Sequence, residues 1–293
     1  MTKIAWVFPG QGSQVIGMGR DLLDISYAKE KFASAEEILG WSVLEICQNK
    51  DDLISRTLYT QPSMYVVESI LADLMRERGQ QPDLVAGHSL GEYVALYVAG
   101  VFDWSTGLRL IERRAELMDS VAGGMMAALI GFDRQQLQQQ IEQTPDVALA
   151  NDNNPVQVVI SGTPTAVQAV LSQVKTKRSI PLKVSGAFHS PFMAAAADQF
   201  QEVLQAVTFE PAKVPVLSNV EPIPSTDANE LKQRLIRQMT GSVRWRETSL
   251  RLSEEGIKKI VEIGPGTVLT GLIKRTCSDL ILENVSSVED LPA

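Results

Sequence analysis

"PDLVAGHSLGEYVALYVAG", residues 82–100, is the stretch on which the fold turns. "PDLVAGHS" (82–89) reads as a short buried strand running into a serine, and "LGEYVALYVAG" as a helix that ends at Gly100. Strand, serine and helix in direct succession, with Gly87 and Gly91 flanking Ser89, form the layout of a nucleophile elbow. In such a turn the glycines let neighbouring backbones approach, and the serine hydroxyl is held out at the carboxyl edge of the sheet. The helix behind it points N–H groups at a developing oxyanion. The competing reading is a serine that merely caps an ordinary helix. Gly-x-Ser-x-Gly alone is a weak signal, and its strand-to-helix context favours the elbow.

Upstream, "KIAWVF" (3–8) reads as a buried strand followed by the Gly-rich turn "PGQGSQ" (9–14), then helical patterns at about 16–23 and 26–39. A helix is predicted over 61–79, with Pro62 near its start and Gly79 at its end. Downstream, "DWSTGLRLIERRAELMDSV" is a helix with Asp103 or Ser105 as N-cap. The pattern then changes. Strands at 124–131, 146–151, 156–161 and 179–185 enclose helices at 133–143 and 163–177, the β-α-β-β-α-β order of a ferredoxin-like unit. A long helix from His189, a strand at 214–219, two helices, a strand and Gly turn at 257–266 and a last helix follow, and "SSVEDLPA" (286–293) reads as a loose acidic tail. Strands alternate with helices outside the insert. The expected architecture is therefore α/β and α/β-hydrolase-like, a mostly parallel sheet covered by helices, with an inserted ferredoxin-like subdomain. Residues 1–122 and 190–293 make the large domain and 123–189 the small one.

The chain has 293 residues, 44% of them hydrophobic and 21% charged, enough for a sizeable core. A net charge of −8 argues against nucleic acid and anionic membrane surfaces as partners, without excluding a local basic patch. Cys47 and Cys277 stand in no metal or redox spacing and read as inert reduced thiols. The N-terminus resembles neither a signal nor a transit peptide, and no apolar run spans a membrane, so a cytoplasmic protein is expected.

A serine hydroxyl needs a base. The chain contains only His88 and His189. His88 adjoins Ser89 but projects away from it around a tight elbow, which suits packing or hydrogen bonding beneath the turn. His189, in "SGAFHSPFM", remains as the base. No carboxylate announces itself as the group that orients the ring, and 104 residues follow His189, unlike the late histidine of serine hydrolases of the α/β-hydrolase type. A backbone carbonyl serves for Nδ1–H.

At this point the motifs "FPGQGSQ", "GHSLGEY", "RLIERR", "GMMAALIG", "NPVQVVISG", "GAFHSPFM" and "EIGPGTVLTGL", in this order from about Lys3 to Arg275, resemble the malonyl-CoA:acyl carrier protein transacylases of type II fatty-acid synthesis. They are also similar to the acyltransferase domains of modular polyketide and fatty-acid synthases. The resemblance implies Ser89 as nucleophile and His189 as base, with His189 held by the backbone carbonyl of Gln238 in "RQMTGSVRW". It implies the amides of Gln11 and Leu90 as oxyanion hole, Arg114 as the grip on the free malonyl carboxylate, and Met126 and Asn153 as pocket lining. Phe188 matches the position where malonyl-selective domains carry phenylalanine.

Each position also has a plain structural reading. An arginine in "IERRAE" is by default a solvated surface residue, with Arg113 as the rival for the role; Met126 reads as core packing and Asn153 as a turn residue before Pro155. "GGMM" departs from the commoner "GAM" run, which bears on Met125 and not on Met126. By the resemblance the partners are malonyl-CoA and an acidic carrier protein, met by a local basic patch for which "KTKR" (175–178) and Lys274/Arg275 are candidates. No cofactor, no metal and a monomer are expected. A serine esterase or thioesterase, an acyltransferase for another acyl-CoA such as acetyl or methylmalonyl, and a silent acyl-binding protein are the alternatives.

Overall fold

The computed structural model describes residues 2–184 and 186–292. In chain order its strands and α-helices are β1 (Ile4–Phe8), α1 (Ser26–Leu39), α2 (Val43–Gln48), α3 (Thr57–Glu77), β2 (Leu84–Gly87), α4 (Gly91–Val98) and α5 (Trp104–Ser120). Then come β3 (Met125–Phe132), α6 (Arg134–Gln143), β4 (Val147–Asn154), β5 (Gln157–Gly162), α7 (Pro164–Gln173) and β6 (Thr176–Pro181). The chain closes with α8 (Ala194–Ala206), β7 (Val216–Leu217), α9 (Ala228–Gln238), α10 (Trp245–Glu254), β8 (Lys259–Ile263), α11 (Val268–Lys274) and β9 (Ile281–Val285).

Two sheets result. The larger is parallel throughout, in the order β7-β2-β1-β8-β9. Its central strands are apolar on both faces, as a sheet covered twice requires. In β1, Trp6 and Phe8 enter the core beneath α3, α4 and α5, while Ala5 and Val7 face the core formed with α10 and α11. Helix α3 runs through the larger core and is buried on nearly every face. The smaller sheet is antiparallel, in the order β4-β5-β3-β6, with Leu137 of α6 and Val167 and Val170 of α7 packed on it. The β-α-β-β-α-β order and its pairing are those of a ferredoxin-like unit. A short parallel bridge, Asn151 with Val243, joins the two parts.

Several elements depart from expectation for local reasons. Helix α3 starts at Thr57, a turn earlier than predicted, and carries Pro62 inside it. Thr60 anchors that extra turn, its hydroxyl 2.6 Å from the Ile54 carbonyl and 3.0 Å from that of Arg56. The helix expected at 16–23 is replaced by turns and a 3-10 segment, Arg20–Asp24, because Gly17 and Gly19 hold φ of 89° and 77°. The long helix expected from His189 starts only at Ala194, after a 3-10 turn Pro191–Met193 capped by Ser190. The strand expected at 179–185 runs from Thr176 to Pro181, and Ser185 lies outside the described residues.

The C-terminal stretch is a correction. The sequence reading has no strand at β9, which pairs with β8 through five residues. The tail is tied down as well. Ser286 and Ser287 bond the Asp290 carboxylate, Leu291 is buried, and the Arg78 guanidinium binds the carbonyls of Leu291 and Pro292. Ala293 lies outside the described residues.

Candidate active site

The carboxyl ends of the parallel strands gather the loops after β1, β2, β7 and β8 at one edge, where ligands of open α/β sheets bind. Ser89 sits there with φ 53°, a left-handed conformation that a side chain rarely adopts. The flanking glycines permit it. A Cβ on Gly87 would lie 1.9 Å from the Gly91 backbone, and one on Gly91 would lie 2.1 Å from the Phe8 carbonyl. Neither overlap can be relieved by a side chain turning aside, since the obstacle is backbone in both cases. Asn219, after β7, braces the turn from the other side. Its Oδ1 accepts the Ser89 N–H at 2.7 Å, and its Nδ2 donates to the Gly87 carbonyl at 2.5 Å.

His189, 100 residues further on, also has a left-handed backbone (φ 55°) and is 4% exposed. Its Nε2 is 2.8 Å from Ser89 Oγ. Its Nδ1 lies 3.0 Å from the Gln238 carbonyl and 3.1 Å from that of Gly241. Both of those partners only accept, so the proton sits on Nδ1 and Nε2 is free to take the Ser89 proton. Burial, and then the neighbouring Arg114 charge, push the His189 pKa from 6.5 down to about 3. The ring is neutral at physiological pH. His88 is turned the other way, its Nε2 3.0 Å from Asn153 Oδ1 and its ring edge-on to Trp245 at 5.5 Å.

Arg114 is not a surface residue. It is 0% exposed, whereas Arg113 points outward and pairs with Glu116. Its Nη1 donates to Gln61 Oε1 at 2.6 Å. Its Nη2 lies 3.0 Å from Ser89 Oγ and 3.1 Å from Gln238 Oε1. The Tyr93 ring stands 5.4 Å from the guanidinium carbon. No carboxylate forms an ion pair with it among the described residues. A buried full charge held only by neutral acceptors is suited to an incoming carboxylate.

Gln238 ties the parts together. Its carbonyl holds His189, its Oε1 accepts from Arg114, and its Nε2 donates to the Ser89 carbonyl (2.9 Å) and to Glu92 Oε2 (2.8 Å). Glu92 is buried, which raises its pKa against the pull of these donors.

A cavity of about 80 Å³ opens between the two sheets onto Ser89 Oγ. Gln11, Leu90, Met126 and Phe188 stand on its wall with Arg114 and His189. The N–H groups of Gln11 and Leu90 make no hydrogen bond among the described residues, and that of Leu90 opens α4. Asn153 does not reach the wall; it backs His88, and Asn151 lines the cavity instead. Bulges in β4 on either side of residues 151 and 152 break the strict alternation by which 151 and 153 would share a face.

Gln61, Met118, Asn219 and Gly241 are site residues that sequence reasoning missed. Gln61 carries no signal of its own, being one of several buried polar residues of α3 with Thr57, Thr60, Ser63, Glu68 and Ser69.

The acyl transferase domain family matches residues 5–292. The chain belongs to that family. This acyl transferase is similar, at 60% identity over 289 residues and 99% of each chain, to the malonyl CoA-acyl carrier protein transacylase of Synechocystis sp.. The crystal structure of the Synechocystis malonyl-CoA:ACP transacylase superposes with a TM-score of 0.97, at 60% identity and over 99% of each chain. A type II polyketide synthase acyl carrier protein in complex with its malonyl-transacylase gives 0.94 at 36% identity, over 99% of this chain and 98% of that one. Among the described residues no helix is long and apolar enough to cross a membrane, and no group of three or more His, Cys, Asp or Glu is placed to hold a metal ion.

Proposed function

We propose that this acyl transferase moves the malonyl group of malonyl-CoA to the phosphopantetheine thiol of acyl carrier protein through a malonyl-Ser89 intermediate, supplying fatty-acid synthesis. The observation that carries the reading is the pair of bonds on one atom: Ser89 Oγ lies within reach of both a neutral imidazole and a buried arginine that has no carboxylate of its own.

In the first step His189 Nε2 takes the Ser89 proton as Oγ attacks the thioester carbonyl. The amides of Gln11 and Leu90 receive the oxyanion, the Gln238 carbonyl stabilises the imidazolium through Nδ1–H, and Arg114 holds the malonyl carboxylate. The C–S bond breaks and CoA leaves with the proton from His189. In the second step the carrier thiol gives its proton to His189, sulfur attacks the malonyl-serine carbonyl, and the C–O bond breaks as Oγ is reprotonated. Met126 and Phe188 wall the acyl pocket, and Asn153 acts behind it by holding His88. No cofactor takes part.

Residues 1–122 with 190–293, and 123–189, act as the two walls of the cleft, a division supported by the two separate sheets. Carrier protein docks transiently at a basic patch; residues Lys175, Lys177, Arg178, Lys274 and Arg275 are exposed. The protein works as a cytoplasmic monomer. Mass spectrometry after mixing with malonyl-CoA tests the reading. The expected result is a malonyl adduct on Ser89 that carrier protein discharges much faster than water does. Discharge by water at the same rate would make the protein a thioesterase, and no adduct would make it a silent binder.

A further inference from the structure

One buried carboxylate outside the catalytic group spans both parts of the protein. Asp152, in β4 of the smaller sheet, is 5% exposed and bonds two arginines. Its Oδ1 accepts from Arg134 Nη2 at 3.0 Å and its Oδ2 from Arg246 Nε at 2.9 Å. The two contacts differ in kind. Arg134 belongs to the same small unit, where it also bonds the Asn154 carbonyl at 3.2 Å. Arg246 belongs to α10, on the large sheet.

The backbone repeats the crossing. Asp152 N–H donates to the Val243 carbonyl at 2.9 Å, and Val243 N–H donates to that of Ala150 at 2.8 Å. Val243 stands two residues beyond Gly241, whose carbonyl is 3.1 Å from His189 Nδ1. Segment 238–246 is thus fastened at one end to the imidazole and at the other to Asp152, with Asn151, the residue before the aspartate, on the cavity wall.

We infer that Asp152 is a positioning residue for acyl transfer: through Arg246 and Val243 it locks the smaller sheet to the carbonyl cradle that orients His189. The inference rests on the transfer reading above. Electrostatics fits the role. A carboxylate that accepts one charge-assisted hydrogen bond on each oxygen, from two different guanidiniums, is held without free rotation. Removal of either arginine leaves the buried Asp152 carboxylate bonded to the other, so neither substitution strands an unpaired charge.

The test compares Arg246→Gln with Arg134→Gln. Each removes one ion pair from the same carboxylate, but only the first pair crosses between the two parts. At a temperature where both variants are folded, Arg246→Gln is expected to slow acylation of Ser89 by malonyl-CoA about tenfold, part of the roughly 100-fold that a misplacement of about 1 Å costs. KM stays within about twofold, because Arg114 and the pocket are untouched, and Arg246→Lys recovers part of the loss. Arg134→Gln keeps the wild-type rate.

A second readout does not depend on activity. With only two histidines in the chain, the His189 Nδ1–H proton is resolvable by NMR. Its resonance is expected to shift or broaden in Arg246→Gln and to stay in place in Arg134→Gln. An unmoved resonance in Arg246→Gln, or equal effects of the two variants, overturns the latch. A wild-type protein that forms no adduct on Ser89 overturns the transfer reading instead, and the resonance still decides the latch.

Discussion

Arg114 Nη2 lies 3.0 Å from Ser89 Oγ, on the same atom that His189 Nε2 approaches to 2.8 Å. One hydroxyl oxygen thus accepts from a cation while its proton points at a neutral base. The cation lowers the basicity of that base through space, as its part in the depressed His189 pKa shows. A carboxylate arriving on Arg114 offsets that charge and draws the guanidinium toward itself. On the proposed reading, binding of the correct acyl group and strengthening of the base are then one event.

Removing Arg114 tests this coupling first. For Arg114→Ala, kcat/KM with malonyl-CoA is expected to fall about 100-fold or more, while acetyl-CoA is used as well as before or better. On the proposed reading, an uncharged acyl group leaves the buried guanidinium of the wild type without an anionic partner, and that is the discrimination the variant is expected to lose. Comparing the two thioesters on both proteins checks it, and unchanged malonyl transfer by the variant would end the argument for selectivity.

The pH dependence gives a second test. An ordinary imidazole, at 6.5, would lose general-base activity tenfold per unit below that value. With His189 held to about 3, acylation of the free enzyme stays flat from about pH 8 to about pH 5. In Arg114→Ala the loss of the neighbouring charge lets the pKa climb while burial still holds it below the ordinary value, so the acid limb moves to higher pH than in the wild type. Stability follows the opposite course. The unfolded chain protonates this histidine near 6.5 and the folded one only near 3, so stability is lost as pH falls between those values. Single-turnover acylation against pH, with circular dichroism at each point, separates the two effects.

Much of this site was legible because its signals are local. The elbow needs a strand, two glycines and a helix within a dozen residues, and the ferredoxin-like order shows in strand and helix periods of ordinary length. What escaped depends on partners far away in sequence. Asn219 is bonded to Ser89 across 130 positions, and Gln61 to Arg114 across 53. Nothing beside either residue marks it. The burial of Arg114 was equally invisible, since "IERRAE" offers two arginines and only the packing of α5 on α3 decides which one turns inward. Strand β9 escaped because it is an edge strand with Glu283 and Asn284 in its middle.

The elbow itself predicts a steric failure. Gly91→Ala places a methyl 2.1 Å from the Phe8 carbonyl, and Phe8 leads into the loop that carries Gln11. Backbone must move at both places. The variant is expected to lose about 1–3 kcal/mol of stability, and acylation should fall further than stability accounts for, because Ser89 and the Gln11 amide shift apart. Chemical denaturation and adduct formation on the same sample report the two losses. A folded, fully active Gly91→Ala would mean that the turn is looser than its contacts imply.

Glu68 offers the reverse, a substitution that stabilises. It lies in α3, fully buried, and neither carboxyl oxygen has a hydrogen-bond partner among the described residues. Burial, with the Glu262 carboxylate nearby, raises its pKa well above 4.5. In the unfolded chain the group ionises near 4.5; in the folded protein it is forced to stay protonated to higher pH. Folded-state stability is therefore intact below 4.5 and declines as pH rises from there through the folded pKa. Glu68→Met keeps the length of the side chain and removes both the orphaned oxygens and the titration. It is expected to gain about 1–3 kcal/mol at about pH 8, with a smaller gain at about pH 5. Urea denaturation at the two pH values measures the difference. A gain independent of pH would assign the effect to packing alone, and a loss would mean that Glu68 has a partner in solution.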